Sequence, residues 1–105
     1  MIITTTDHIA GKTISEVVGV VEGSVVMSKH IGSDIAASFR TLVGGEIKGY
    51  TDMMDKSRKQ ATERMTAAAK KIGADAIIGM RFASATIMGG ASEMLAYGTA
   101  VKLKK

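Results

Sequence analysis

Between Ile47 and Ile72 the sequence carries apolar or small residues at Ile47, Tyr50, Met54, Ser57, Ala61, Met65, Ala68 and Ile72, in steps of three and four. That period keeps one face of an α-helix apolar for about seven turns, or about 39 Å of helix. Such a helix is longer than a small sheet needs. Ser57, Ala61 and Ala68 on its seam are small, so whatever packs there approaches closely. Gly73 ends the helix, and Lys70 and Lys71 suit the negative end of its dipole.

The rest of the chain reads mostly as strands. Ile2 to Thr6 is short and β-branched, and the polar stretch Asp7 to Lys12 reads as a turn. Ile14 to Met27, with the sequence ISEVVGVVEGSVVM, predicts a long strand. Gly19 and Gly23 fall on one of its faces, where a backbone can approach closely or a bulge can form, and Val18, Val20 and Val26 fall on the other. Ala76 to Thr86 predicts a strand with Ile78, Met80 and Phe82 on one face and Ile77, Arg81 and Ala83 on the other. Met88-Gly89-Gly90-Ala91 is the hairpin connection to a last strand, Glu93 to Leu103. There, Leu95, Tyr97, Thr99, Val101 and Leu103 face away from Met94, Ala96, Gly98, Ala100 and Lys102.

One further helix is expected after the first long strand. Ser33 suits its N-cap, Ile35, Ala36, Phe39, Leu42 and Val43 recur at helical steps, and Gly44-Gly45 stops it. Element order and the length of 105 residues predict one α+β domain over residues 1–105, an antiparallel sheet with a short and a long helix packed on it. The strands are apolar on both faces, while helices cover only one. The uncovered face predicts a homo-oligomer.

Composition excludes several function classes. The sequence has no cysteine, which removes disulfides, Cys-based zinc sites and thiol catalysis. It has 14 Lys and Arg against 10 Asp and Glu, a formal net charge of +4. Along Asp52 to Arg64 the two signs alternate as on a solvated helix, and Phe39, Tyr50, Phe82 and Tyr97 are too few to stack bases. No nucleic-acid partner is expected. The stretch from Met1 to Lys12 has no basic region ahead of an apolar run, and no window approaches the ~20 apolar residues of a spanning helix. No membrane association is expected, and the expected compartment is the cytoplasm.

Motifs that carry chemistry are sparse. His8 and His30 lie far apart with no metal-ligand spacing, although Asp7 with His8 and His30 with Asp34 are two-ligand seeds. The eight methionines are scattered and read as core filler. Neither a nucleophile elbow nor a P-loop pattern occurs. Arg40, Arg58 and Tyr50 are the polar residues on or beside the helix seams, and a pairing of Arg40 or Arg58 with Glu46 or Glu93 is expected as a structural salt bridge or part of an interface, packing being the commoner role of such an Arg than a functional cleft.

Several motifs in order resemble the YbjQ-like family of small bacterial and archaeal proteins. They are Thr4-Thr5-Thr6, Ile9-x-Gly11-Lys12 and the Val-rich strand, then Asp34-Ile35, Arg40, Gly44-Gly45-Glu46 and Tyr50. Arg58-x-x-Ala61, Gly73-Ala74-Asp75-Ala76 and Glu93 with Ala96 to Val101 complete the set, which spans essentially the whole chain. Ser28 to Asp34 departs from the pattern, standing where an Asn and an Arg before the Asp are common. The resemblance implies a β-α-β-β subunit, similar in topology to dodecin subunits, assembled as a homopentameric ring. It also brings the label "putative heavy-metal-binding", with no established activity or ligand residues.

Three readings follow. The leading one is a non-enzymatic oligomeric scaffold or small-ligand binding module. The second is a metal-binding protein in which His8, His30 and Glu93 from neighbouring chains converge on a metal ion. The third is an enzyme with a cleft at the subunit interface near Arg40, Tyr50 and Arg58.

Overall fold

The computed structural model describes residues 1–28 and 48–105. Strand β1 is Ile2–Ile3, β2 is Ile14–Ser28, helix α1 is Lys48–Lys71, β3 is Ala76–Met88 and β4 is Ala91–Leu103. The expected short helix, with His30, Arg40 and Glu46, lies outside the described residues. The long helix stands within a residue of the bounds read from its stripe, and Gly73 follows it at a φ of +79°. The β3–β4 hairpin turns through Gly89 and Gly90, the latter at a φ of +78°.

The four strands form one sheet in the order β1-β3-β4-β2. Both β2 and β3 run antiparallel to β4, but β1 pairs parallel with β3, so the sheet is mixed rather than purely antiparallel. Chain direction explains the difference. β1 enters from the same end as β3 and reaches it only through the long path over β2 and α1, the kind of connection a parallel pair requires.

Helix α1 lies mainly along β2 and buries one face of the sheet. The residues it buries are Met53, Ser57, Ala61, Met65 and Ala69, with Met54 and Ala68 half-buried beside them and Ile72 exposed. The buried line steps by four throughout and so follows an i±4 ridge around the helix, where the alternating steps of the sequence stripe predict a straight seam. The sheet contributes Val21, Val25, Ile77, Met80, Met94, Ala96 and Ala100 to this core. Six of the eight methionines, Met27, Met53, Met54, Met65, Met80 and Met94, sit in or against this layer, the core filling expected of them.

Two irregularities move residues from one face to the other. In β2 the register shifts between Val17 and Gly19, so Val18 packs on the core while Val20 and Val26 face away from it. In β3 it shifts between Ile78 and Arg81. Gly79 is the extra residue, at a φ of +60°, and its amide donates to the Thr6 carbonyl at 2.8 Å. Thr4 holds both sides of this bulge, its amide donating to Ile77 and its carbonyl accepting from Met80. The bulge joins Ile77 to the face of Met80 and Phe82, and Ile78 to that of Arg81. Strict alternation, which groups Ile77 with Arg81, fails here because one residue is inserted.

Candidate functional site

The chemistry-bearing residues occupy the turn after β1, the outer side of α1 and the sheet face away from the helix. In the turn, Thr4 and Thr6 cap one another: the Thr6 amide donates to Thr4 Oγ1 at 2.9 Å, and Thr6 Oγ1 donates to the His8 carbonyl at 2.5 Å. Just beyond, His8 Nδ1–H donates to Asp7 Oδ1 at 2.8 Å, with both side chains exposed. That hydrogen bond first, and the imidazole's charge second, hold the Asp7 carboxyl below its ordinary value.

Glu93 lies on the opposite part of the sheet. It stands between Val26 and Ala85 in register and accepts a hydrogen bond from Ser24 Oγ at 2.9 Å. Thr6 sits beside Gly79 and Glu93 beside Ala85, a separation of about 20 Å along β3 at strand rise. His8 and Glu93 of one chain therefore do not converge. His30 lies outside the described residues, as do Arg40 and Glu46.

On the helix, Tyr50 is half-buried in the first turn of α1. Arg58 is ion-paired with Asp55, one turn back on the same helix. The expected pairing of Arg58 with Glu46 or Glu93 gives way to this neighbour because residues three apart on a helix surface face each other. A shallow open hollow lies near Met54, lined also by Ser84, Ala85, Thr86 and Ser92, hydroxyl-bearing but without a charged group.

Sequence reading missed one arrangement on the sheet face away from α1. Glu22, Tyr97 and Arg81 stand in one row across β2, β4 and β3. Directly opposite residues of an antiparallel ladder share a face, so all three project from the open side. Arg81 Nη1 donates to the carbonyls of Thr5 at 2.9 Å and Met80 at 2.8 Å. Neither Glu22 nor Arg81 is in an ion pair among the described residues. A glycine inside a strand pattern was the available signal, since it marks a bulge.

Comparison with known proteins places the chain. The YbjQ family model, described as "Putative heavy-metal-binding", matches residues 1–104. The chain belongs to the YbjQ family. It is 63% identical to a UPF0145 protein of Thermotoga maritima over 100% of this chain and 99% of that one. It is also 55% identical to a UPF0145 protein of Psychromonas ingrahamii over the whole of both chains. The crystal structure of a protein with unknown function of the DUF74 family from Pediococcus pentosaceus matches with a TM-score of 0.70 at 23% identity, covering 99% of this chain and 98% of that chain. That likeness shows the fold, a four-stranded mixed sheet with a long helix.

The family's description raises a metal, and the described residues do not fit one. No group of three or more His, Asp or Glu side chains that could hold an ion occurs among them, and the sequence has no cysteine for a soft cation. Also among the described residues, no helix is long and apolar enough to cross a membrane.

Proposed function

We propose that this YbjQ-family chain is the subunit of a non-enzymatic homo-oligomeric scaffold or small-ligand binding module, working in the cytoplasm. The observation that carries the reading is the sheet face away from α1, which no helix covers among the described residues. Val20 is 79% exposed there and Val26 58%, with Ile87 and Tyr97 also exposed, while α1 covers only the other side. An apolar face of this kind on a small domain is an interaction surface. A second copy of the chain is the partner at hand, and the family resemblance supports a homopentameric ring.

Native mass spectrometry on untagged protein purified without chelator tests this reading. The expected spectrum is a bare multiple of 11.0 kDa, five subunits for the family's ring. A monomer overturns it.

The family description supports a second reading, a metal site shared between subunits. Convergence of His8, His30 and Glu93 from neighbouring chains would then supply the three or four ligands that the described residues of one chain lack. That reading expects extra mass which EDTA removes, and loss of that mass in the double variant His8→Ala, His30→Ala. The scaffold reading expects neither.

A further inference from the structure

Six lysines gather at one end of the molecule. Lys70 and Lys71 close α1, Lys12 precedes β2, and Lys102, Lys104 and Lys105 lie at the end of β4. Register brings these places together. Ile14 stands opposite Leu103, and the Lys104 amide donates to the Thr13 carbonyl at 2.8 Å. Just past the helix, the Asp75 amide donates to the Val101 carbonyl at 2.8 Å, and Lys102 Cε comes within 4.0 Å of where a β-carbon on Gly73 would stand. All six lysines are exposed, and none is in an ion pair among the described residues. Residues 29–47 leave β2 at Ser28 and rejoin α1 at Lys48, the opposite ends of both elements, so the lysine end is built from described residues.

The chain's net charge resides here. Two acids share this end: Asp75 Oδ2 accepts from the Leu103 amide at 2.8 Å, and Glu16 stands opposite Lys102. Six lysines against these two give +4, the formal charge of the whole chain, and the other eight bases and eight acids cancel. The helix dipole accounts for Lys70 and Lys71 alone. Apolar side chains lie among the lysines. Ile72, just after Lys71, is 45% exposed, and Ile2, opposite Ala76, is 39% exposed.

We propose that this end docks on a membrane surface of anionic phospholipid, the lysines lying among the headgroup phosphates and Ile72 and Ile2 entering the acyl boundary. The make-up of the end selects that partner. Lysine ammoniums are point charges without the planar fork by which arginine grips a single phosphate, and no arginine belongs to the cluster. Tyr50, Phe82 and Tyr97 lie in the first turn of α1 and well inside β3 and β4, so bases find no stacking platform here. Lysines interleaved with exposed apolar side chains match the headgroup–acyl boundary, where charge attraction and hydrophobic burial act together. Such a contact needs no spanning helix, and it is independent of the oligomeric reading above.

Co-sedimentation with vesicles tests it at about 0.1 M salt, where screening acts over ~10 Å. The wild type should pellet with vesicles of equal parts phosphatidylcholine and phosphatidylglycerol, stay in solution with phosphatidylcholine alone, and leave the mixed vesicles as salt rises. A lysine near such a surface is worth about fivefold in partition. Lys70→Gln with Lys71→Gln, and separately Lys104→Gln with Lys105→Gln, should therefore each weaken binding at least about tenfold. Ile72→Ser, at unchanged charge, should weaken it about threefold. Lys56→Gln with Lys59→Gln removes the same charge from the middle of α1, more than a screening length from the end, and should change binding by less than about twofold. All these side chains are exposed, and far-UV circular dichroism checks the fold of each variant. No partition into the mixed vesicles overturns the proposal, as do equal losses in the middle and end variants or an Ile72→Ser protein that binds like the wild type. An oligouridylate that binds the wild type more tightly than the vesicles do would make nucleic acid the partner and overturn it too.

Discussion

Gly23 of β2 lies directly against the backbone of Ala61 in α1. A β-carbon on Gly23 would fall 2.2 Å from the Ala61 carbonyl oxygen and 2.4 Å from the Met65 amide nitrogen. Strand and helix backbones touch here without a side chain between them, and the contact lies midway along the buried ridge of Met53, Ser57, Ala61, Met65 and Ala69. Small residues at Ser57 and Ala61 on one side and Gly23 on the other make this approach possible.

Gly23→Ala should therefore be among the most damaging single-methyl additions in the chain. The atoms in the way are backbone, which yields less readily than the end of a flexible side chain. We expect a loss of about 3 kcal/mol, overpacking at the upper end of its usual range. Thermal unfolding measured beside the wild type checks it, with a fall in Tm of about 10 °C or more expected.

Ser57 is the buried polar residue of this ridge, 1% exposed, and its hydroxyl donates to the Met53 carbonyl at 2.8 Å. That carbonyl is four residues back in the same helix, so the bond is local and the hydroxyl is satisfied without crossing to the sheet. Ser57→Ala keeps the volume and should cost less than about 1 kcal/mol. Ser57→Leu should cost about 1–3 kcal/mol by pushing the helix off β2. Chemical denaturation of the two variants should rank them in that order, and equal midpoints would mean the ridge is not tightly packed.

The helix, the four strands and the hairpin at Gly89-Gly90 were legible because each rests on a period or a turn residue that acts locally. The close approach was legible too, from small residues on the helix seam and from Gly23 on the strand. Faces were read less well. Alternation separates Met94, Ala96, Gly98 and Ala100 from Leu95, Tyr97 and Thr99 in β4, which has an even rhythm. It misplaces Val18, which is itself the residue left unpaired by the shift in β2, and Ile77, which precedes the residue inserted in β3. The parallel pairing of β1 is likewise invisible locally, since it depends on where the chain arrives after β2 and α1. Of the candidate site residues, Arg58 found a partner one helical turn away, a pairing legible in Asp55-x-x-Arg58. The row of Glu22, Tyr97 and Arg81 was not legible, because its alignment depends on the Gly79 bulge.

Asp7 and His8 provide a pH-dependent check on the turn. The folded carboxyl is held below its ordinary value by the His8 hydrogen bond and charge. A depressed folded value means the contribution is present above the unfolded value and lost as the pH falls through the folded one, a window below about pH 4. His8→Ala removes both causes, so the Asp7 titration midpoint should move up toward that of a free aspartate. Carbon-13 NMR of the Asp7 carboxyl measures this directly, and an unmoved midpoint would mean that the pair does not persist in solution.

Gly79 sets the face on which Arg81 emerges, so its conformation is worth testing directly. Its φ of +60° lies in the left-handed region, and an added β-carbon there meets nothing within 4 Å. Any cost of substitution is therefore backbone strain rather than collision. Gly79→Ala should lose about 1–2 kcal/mol, and Gly79→Asn less, since Asn tolerates this region better. The amide of residue 79 still reaches the Thr6 carbonyl in both variants, provided the bulge survives. Hydrogen exchange at residue 79 checks that point alongside the stability measurement. A protected amide with reduced stability identifies strain at an intact bulge. An open amide would show instead that the strand has slipped by one residue, carrying Arg81 to the helix side of the sheet and away from Tyr97 and Glu22.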